Sequence, residues 1–501
     1  MWEFFRKRND KDRKSDTPAK SGFRFFVGAR PTMMAKFAAT YAKINNELRA
    51  DSIALTLRAR DLAKNSAEVA SYINVMVRNV IGAPGFALSA TTYNDDGSPD
   101  RMANRILENA WWDYGHSYEK YVSADQQQNE REFDEAVLRC YLVDGEVFLR
   151  KIRDPKSKYG VRWKIIDALD VDTMYNVDYN QNRERVCLGI KVDANLKPIS
   201  YFIRKNKNLD YYLQGDREEV PASEIVHIFK RQFADQVRGY TPLAPVLMKM
   251  ASLSSYTEAE LNAAILESFM MGMYEQKEKG EDAYSQYNDD EIDDEGNIAT
   301  ELETNVFRFC PRGYSFKQIQ SNHPHNGFGD FVKATLRSIA SAIGISSNRL
   351  TSDFESTNYS SLKAAFLEDT NTYREMQTFL IETWKDRQYI EWLKQFLLTD
   401  LSDLPYSKLP KFAVHQFRGR SWETLEPIRD AQAIQLRLQL GITDPITEIE
   451  ALGGDVDDTL DRIVLWREKL KARGLKLDDK DTIVPIDDPV DDSANGEDND
   501  A

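Results

Sequence analysis

Phe328–Asp369 reads FGDFVKATLRSIASAIGISSNRLTSDFESTNYSSLKAAFLED, two helical patterns separated by a polar run. In the first, Val332, Leu336, Ile339 and Ile343 share one stripe, and Gly344 ends the helix. The second begins near Tyr359 and continues to about residue 398 through Leu362, Phe366, Tyr373, Leu380, Trp384, Leu393 and Phe396. Between them the chain is rich in Ser, Thr, Asn and acids, with no His, no Cys and no glycine-rich loop, so it is not a catalytic segment. Asn358 or Ser360 is placed to cap the second helix. Two helices that both need burial thus flank a segment that does not.

Outward from this stretch the chain divides by periodicity. On the N-terminal side, Leu243, Leu247, Met250, Leu253, Leu261, Ile265 and Phe269 predict a long helix over 241–275. Residues 276–327 are charged and irregular, with one alternating piece, NVFRFCPRGYSF. Upstream, 55–240 is mixed. Leu62, Val69, Ile73, Met76, Val77 and Val80 predict one helix ending at Gly82, and further helices are expected from Pro99 to Tyr114 and from Glu130 onward. The short runs GEVFLRKI, VRWKIID, RVCLGIKV, PISYFIRK and EIVHIF, bounded by turn signals such as Asp144-Gly145, predict strands. Residues 1–54 are expected to be a partly disordered arm, and 423–475 a set of two or three helices separated by GITDP and GGD. Residues 476–501 are expected to be a disordered acidic tail. The fold class is α+β.

Composition narrows the function. A chain of 501 residues with 42% apolar and 11% aromatic content can bury more than one core. Of the net charge of −15, the final fifteen residues carry seven acids and DDEIDDE at 289–295 carries six, so the remaining body is almost neutral. Cys140, Cys187 and Cys310 form no CxxC pair, which fits a reducing compartment and a cytoplasmic protein. The N-terminus has no apolar signal segment. The most apolar run, LNAAILESFMMGMY, is too short to span a bilayer and carries Glu267, so no membrane role is expected.

Catalytic motifs are absent. There is no GxxxxGK[ST], no HExxH and no GxSxG. If Gly296 held the sixth position of a calcium loop, Leu302 would hold the twelfth, where a bidentate carboxylate is required. The imidazoles of His323 and His325 lack the further ligands a metal needs and read as part of a loop before a helix. Trp111-Trp112 could stack bases, although core packing suits an amphipathic helix better, and His227 reads as a satisfied strand residue. Nothing assembles a nucleophile, a base and an oxyanion hole, so no enzyme, metal or cofactor is expected.

Four blocks in order carry a resemblance: LRARDLAKNSAEVASYINVMVRNVIG, VRGYTPLAPVL, the opening stretch, and FRGRSWETLEPIRDAQAIQLRLQLGI. Over about residues 55–475 the chain resembles the lambda-type portal proteins of tailed bacteriophages. The resemblance implies a head-to-tail connector, usually a ring of twelve subunits at one capsid vertex of the virion. Double-stranded DNA would be packaged and ejected through it. Implied partners are the terminase large subunit, the major capsid protein and then head-completion or tail proteins. The implied protomer has a wing at 55–240, stem helices at 241–275 and 328–346, and a clip at 276–327. A channel loop at 347–361 would follow, then a long helix and wing return at 359–422 and a crown at 423–475. The loop residues Ser352, Asp353, Glu355, Ser356, Thr357 and Asn358 would then face DNA, touching phosphates without reading sequence, with the two acids favouring sliding. Lys333 and Arg337, four apart and opposite the Val332/Ile339 stripe, would either form a modest basic ring or be solvated and paired. Two other functions remain open: a metal-dependent nuclease, which needs positioned carboxylates, and a monomeric helical adaptor.

Overall fold

Ser66 breaks what the sequence presents as a single helix. The computed structural model describes residues 43–205, 216–269, 273–276, 314–317, 327–354, 358–422, 426–454, 456–473, 475–477 and 483–485. Helix α1 (Ile44–Asn65) ends at Ser66, whose side chain accepts the Val69 N–H and so caps α2 (Ala67–Val80). Because α1 starts at Ile44, the expected arm at 1–54 is too long by eleven residues, and 1–42 lies outside the described residues. Strand β1 (Ala87–Ala90), α3 (Arg101–His116) and α4 (Glu130–Asp144) follow, the last held by a reciprocal capping box between Asn129 and Glu132.

The β region then takes shape as expected, with one split. Strands β2 (Glu146–Arg153) and β3 (Val161–Ile166) are continuous, but RVCLGIKV divides into β4 (Arg185–Cys187) and β5 (Ile190–Val192) around Leu188-Gly189, both at positive φ. Strands β6 (Pro198–Arg204), β7 (Arg217–Pro221) and β8 (Ile225–Phe229) complete two antiparallel sheets, ordered β3-β2-β8 and β4-β5-β6-β7. Strand β2 is buried on both faces. Val147 and Leu149 join a core shared with the helices, while Phe148 joins a second core with Ile190, Val192, Tyr201 and Val220.

Further on, α5 (Leu247–Phe269) is shorter than expected. Pro242 and Pro245 lack the N–H a helix needs, so 241–246 forms turns, with Val246 and Leu247 both donating to the Leu243 carbonyl. Residues 273–276, expected at the end of that helix, are instead strand β9 (Met273–Gln276), paired with β10 (Tyr314–Lys317). His323–His325 and the acidic run at 289–295 lie outside the described residues. Helix α6 (Phe328–Ile343) ends at Gly344, φ +77°, and is followed within the expected loop by a short helix, α7 (Ser347–Thr351). Next comes α8 (Tyr359–Leu380), which runs through one widened π turn at Ile381–Lys385 into α9 (Asp386–Phe396). A short α10 (Leu409–Phe412) leads to β11 (His415–Arg418), which pairs with β1.

At the C-terminal end α11 (Pro427–Gln439), α12 (Pro445–Ala451) and α13 (Val456–Ala472) are the expected three helices. The tail is corrected. Strands β12 (Leu475–Leu477) and β13 (Ile483–Pro485) pair inside the segment expected to be disordered, and 486–501 lies outside the described residues.

The two halves of the chain share the larger core, because Tyr373, Leu380, Trp384, Tyr389, Trp392 and Phe396 pack with residues of α2, α3 and α4. At its centre Lys385 is fully buried and bonds Glu130, the Asp134 carboxylate at 3.0 Å and the Gln388 side chain at 2.8 Å. Trp384 Nε1 donates to Asp134 at 2.7 Å, and the ammonium lies 5.4 Å from the ring centroids of both Trp111 and Phe417. Burial works against the Lys385 charge, yet the two acids more than offset it and raise its pKa. Burial pushes the Glu130 carboxyl up to about 7 even so, since one ammonium is shared with Asp134.

That shift has a sign. An unfolded Glu130 titrates near 4.5, so between there and about 7 the folded chain holds a proton the unfolded chain lacks. The associated stability is fully present below 4.5 and lost as pH rises through 7. Glu130→Gln should therefore flatten the decline in urea midpoint between about pH 5 and about pH 8, relative to wild type. Equal slopes in the two proteins would show that Glu130 does not carry a raised pKa.

Candidate functional site

The polar segment between α6 and α8 is anchored at both ends before it becomes free to be polar. At its start Ser346 caps α7 by accepting the Arg349 N–H, while its own N–H and hydroxyl both bond the Asp369 carboxylate at 2.7 Å. Leu350 is buried, and its carbonyl accepts a 2.9 Å bond from the Ser71 hydroxyl on α2. Arg349 lies 3.8 Å from Asp369 and 5.7 Å from the Phe366 ring centroid. The expected loop at 347–361 is therefore corrected: its first five residues are a helix docked on the body. Five residues carry too little periodicity to show this in sequence, although Ser346 at a cap spacing was a usable signal.

At the other end Asn358 accepts the Ser361 N–H at 2.8 Å and caps α8, as one of the two expected caps. The exposed middle is short. Ser352 adopts the left-handed conformation, φ +55°, that closes α7. Asp353 sits 3.7 Å from Lys333. Glu355, Ser356 and Thr357 lie outside the described residues. The structure thus brings together two candidate residues twenty positions apart, the α6 cation Lys333 and the anion Asp353 after α7, in an exposed pair worth at most about 1 kcal/mol. Arg337, one turn further along α6, is exposed and makes no ion pair among the described residues. The buried face of α6 is Ile339, Ala340 and Ile343, so both cations stand away from the core as expected.

Beside α6 runs α5, joined to it by Lys249 Nζ donating to Ser338 at 2.9 Å and by Tyr256 lying against Phe328 and Phe331. The first part of α5 is core, with Leu247, Met250 and Leu253 buried, but Leu261 and Ile265 are 61% and 44% exposed. An open groove of about 850 Å³ between the two helices is lined by Met248, Leu253, Tyr256, Phe331 and Ala334 among others. Trp111 is core, in line with expectation, whereas Trp112 is exposed and stacks on His116 at 3.7 Å. His227 is buried against Glu146 at 3.1 Å, a satisfied strand residue.

The block VRGY proves to be structural. Arg238 spends all five N–H donors: on Glu146, and on the carbonyls of Val171 (2.9 Å), Leu188 (3.2 Å) and Ala168 (2.8 Å). Against the effect of burial, Arg238 and His227 hold the Glu146 carboxyl down to about 2.

Among known families, the phage portal proteins of the lambda family match residues 30–377. The chain belongs to that family. Its members are structural proteins. A probable portal protein of Halomonas phage phiHAP-1 is 27% identical over 434 residues, covering 85% of this chain and 82% of the relative. Portal protein B of Escherichia phage lambda is 19% identical over 454 residues, covering 84% of each. Among solved structures, a chain from the virion of a native gene transfer agent particle covers 81% of this chain and 94% of its own, at 14% identity and a TM-score of 0.45. An HK97-family phage portal protein from Corynebacterium diphtheriae aligns at 12% identity and a TM-score of 0.26, covering 75% of this chain and 95% of its own. Neither structural likeness is strong enough to bear on function.

For this portal family member the anchoring of α7 is directly testable. Leu350→Ala should lower stability by about 2–4 kcal/mol, read from urea unfolding, because it empties a buried site. Asp353→Asn should shift it by less than about 1 kcal/mol. Comparable effects from both would mean that the segment is a loop throughout.

Proposed function

We propose that the chain is the subunit of a closed ring, of twelve copies, at one vertex of a phage capsid. Double-stranded DNA enters through the ring during packaging and leaves through it on ejection. The observation that carries the ring is apolar surface that one protomer leaves uncovered. Helices α11 and α12 bury no residue, α13 buries only Leu470, and α5 exposes Leu261 and Ile265 beyond the body. Ile428 and Ile442 are 74% and 69% exposed. Amphipathic helices of this length depend on tertiary packing for stability, and a head-to-tail interface that closes supplies it from neighbouring copies.

In this reading α5 and α6 are the stem, with the clip between them and α11–α13 as the crown. The body from α1 to β8 is the wing, completed by α8, α9 and β11. The part of the segment between α7 and α8, 352–358, faces the channel, and Lys333, Arg337, Ser352, Asp353, Glu355, Ser356, Thr357 and Asn358 approach the DNA. The Lys333–Asp353 pair lowers the positive charge α6 can offer, which suits a conduit that passes DNA rather than holding it. The terminase large subunit, the major capsid protein and head-completion or tail proteins are the partners of such a ring, which is assembled in the host cytoplasm and retained in the virion. The subunit itself carries out no catalysis.

Replacing Ser352–Thr357 by a short glycine-serine link tests the channel assignment while sparing Leu350 and the Asn358 cap. Rings should still form by native mass spectrometry, since loop length changes the closure entropy only slightly, but packaged DNA should fall. Normal DNA content in infectious particles would remove the channel assignment. Only monomers in the wild type, at every salt and protein concentration, would remove the ring.

A further inference from the structure

Between α2, α7, α8 and the segment after β11 lies a cavity of about 940 Å³ that the channel reading does not use. Three arginines line it, Arg78, Arg349 and Arg420, together with the rings of Phe354, Phe366 and Trp422. Among the described residues no Asp or Glu does. Arg349 shares the Asp369 carboxylate at 3.8 Å, whereas among the described residues neither Arg78 nor Arg420 makes an ion pair. A fourth guanidinium, that of Arg374, stands 5.6 Å from the Trp422 ring centroid.

The walls are built rather than incidental. Arg420 Nη1 donates to the Arg78 carbonyl at 2.7 Å, and Gln377 Nε2 bridges the carbonyls of Val80 and Arg420 at 3.0 Å each. A Cβ on Gly82 would lie 2.6 Å from Arg420 Cδ, so Gly82, at φ +66°, leaves room for the arginine stem. Trp422 Nε1 is buried and has no acceptor among the described residues. Such a donor in a folded protein calls for a partner.

We propose that this cavity binds a nucleotide unit, its phosphate held by Arg78 and Arg420 and its base lying among Trp422, Phe354 and Phe366. Guanidinium forks match phosphate oxygens in pairs, base–aromatic stacking accepts any base, and the volume suits a ligand of this size. A duplex keeps its bases stacked inside the helix, so the ligand is a free mononucleotide or a nucleotide of a single strand. Ser352 and Phe354 border the same cavity, which places its occupant next to the proposed channel segment.

Calorimetric titration of the full-length, assembled protein tests this, using dAMP, inorganic phosphate, a short single-stranded oligonucleotide, a duplex of the same length and an oligoglutamate peptide. The expected result is binding of dAMP that phosphate competes away weakly and duplex does not compete away. Arg78→Gln should weaken it roughly tenfold or more, and Trp422→Phe should also weaken it. Arg78 is exposed and lends the structure only its carbonyl, so that variant should fold normally even if Arg420→Gln does not. Tighter binding of the oligonucleotide than of dAMP identifies a strand as the source, and equal binding a free nucleotide. No nucleotide binding, an unchanged affinity in Arg78→Gln, or tighter binding of oligoglutamate would overturn the proposal, the last pointing to an acidic protein segment instead. Ring formation and DNA packaging are read separately and stand or fall without it.

Discussion

One ammonium buried between two carboxylates organises the body of this protein. Removing three charges from water costs several kcal/mol each unless the geometry repays it. Here the repayment draws on much of the fold: Glu130 and Asp134 from α4, Gln388 from α9, the Trp384 indole, and aromatic rings from α3 and β11. The π turn lies at this cluster and carries Trp384 and Lys385, both fully buried. One extra residue in the turn changes the phase of the helix, so α8 presents Tyr373, Gln377 and Leu380 to the core and α9 presents Tyr389, Trp392 and Phe396. The direction of α8, and with it the position of the Asn358 cap and the segment before it, follows from this phase.

Much of the architecture was legible because it rests on period alone. Strands β2, β3, β6 and β8, helices α3 and α4, and the three C-terminal helices stand close to where alternation and capping residues put them. What escaped was decided by single residues or by distant partners. Ser66 divides a run whose flanking periodicity is unbroken, and Leu188-Gly189 turns within eight apolar-rich residues. Pairing of β1 with β11 joins positions more than three hundred residues apart, and neither strand is long enough to announce itself. The π turn has no sequence signature. At the candidate site the Asn358 cap could be read from its position, but the approach of Lys333 to Asp353 depends on how α7 docks, and α7 depends on Asp369, on the next helix in sequence.

Around VRGY, backbone passes backbone at close range. Gly145, at φ +82°, could not carry a Cβ, which would fall 1.8 Å from the Tyr240 carbonyl oxygen. A Cβ on Gly239 would likewise fall 2.3 Å from the Gly145 carbonyl oxygen. Between them Arg238 ties Glu146 on β2 to the carbonyls of 168, 171 and 188. VRGY is therefore a joint between the two sheets.

The same economy accounts for the polar stretch with which the sequence is most readily entered. In the proposed function this segment lines a passage for DNA, and it then has to be fixed in place and yet offer nothing that grips. Fixing is done by side chains that face inward or cap helix ends: Leu350, Ser346 with Asp369, and Asn358. Among the described residues of the segment, Ser352 and Phe354 stay exposed, and the cationic neighbour Lys333 is matched by Asp353. Anchorage and the exposed ion pair are thus assigned to different residues, so a change at Ser352 or Asp353 leaves the segment fastened, whereas a change at Leu350 or Asp369 acts on the fold first.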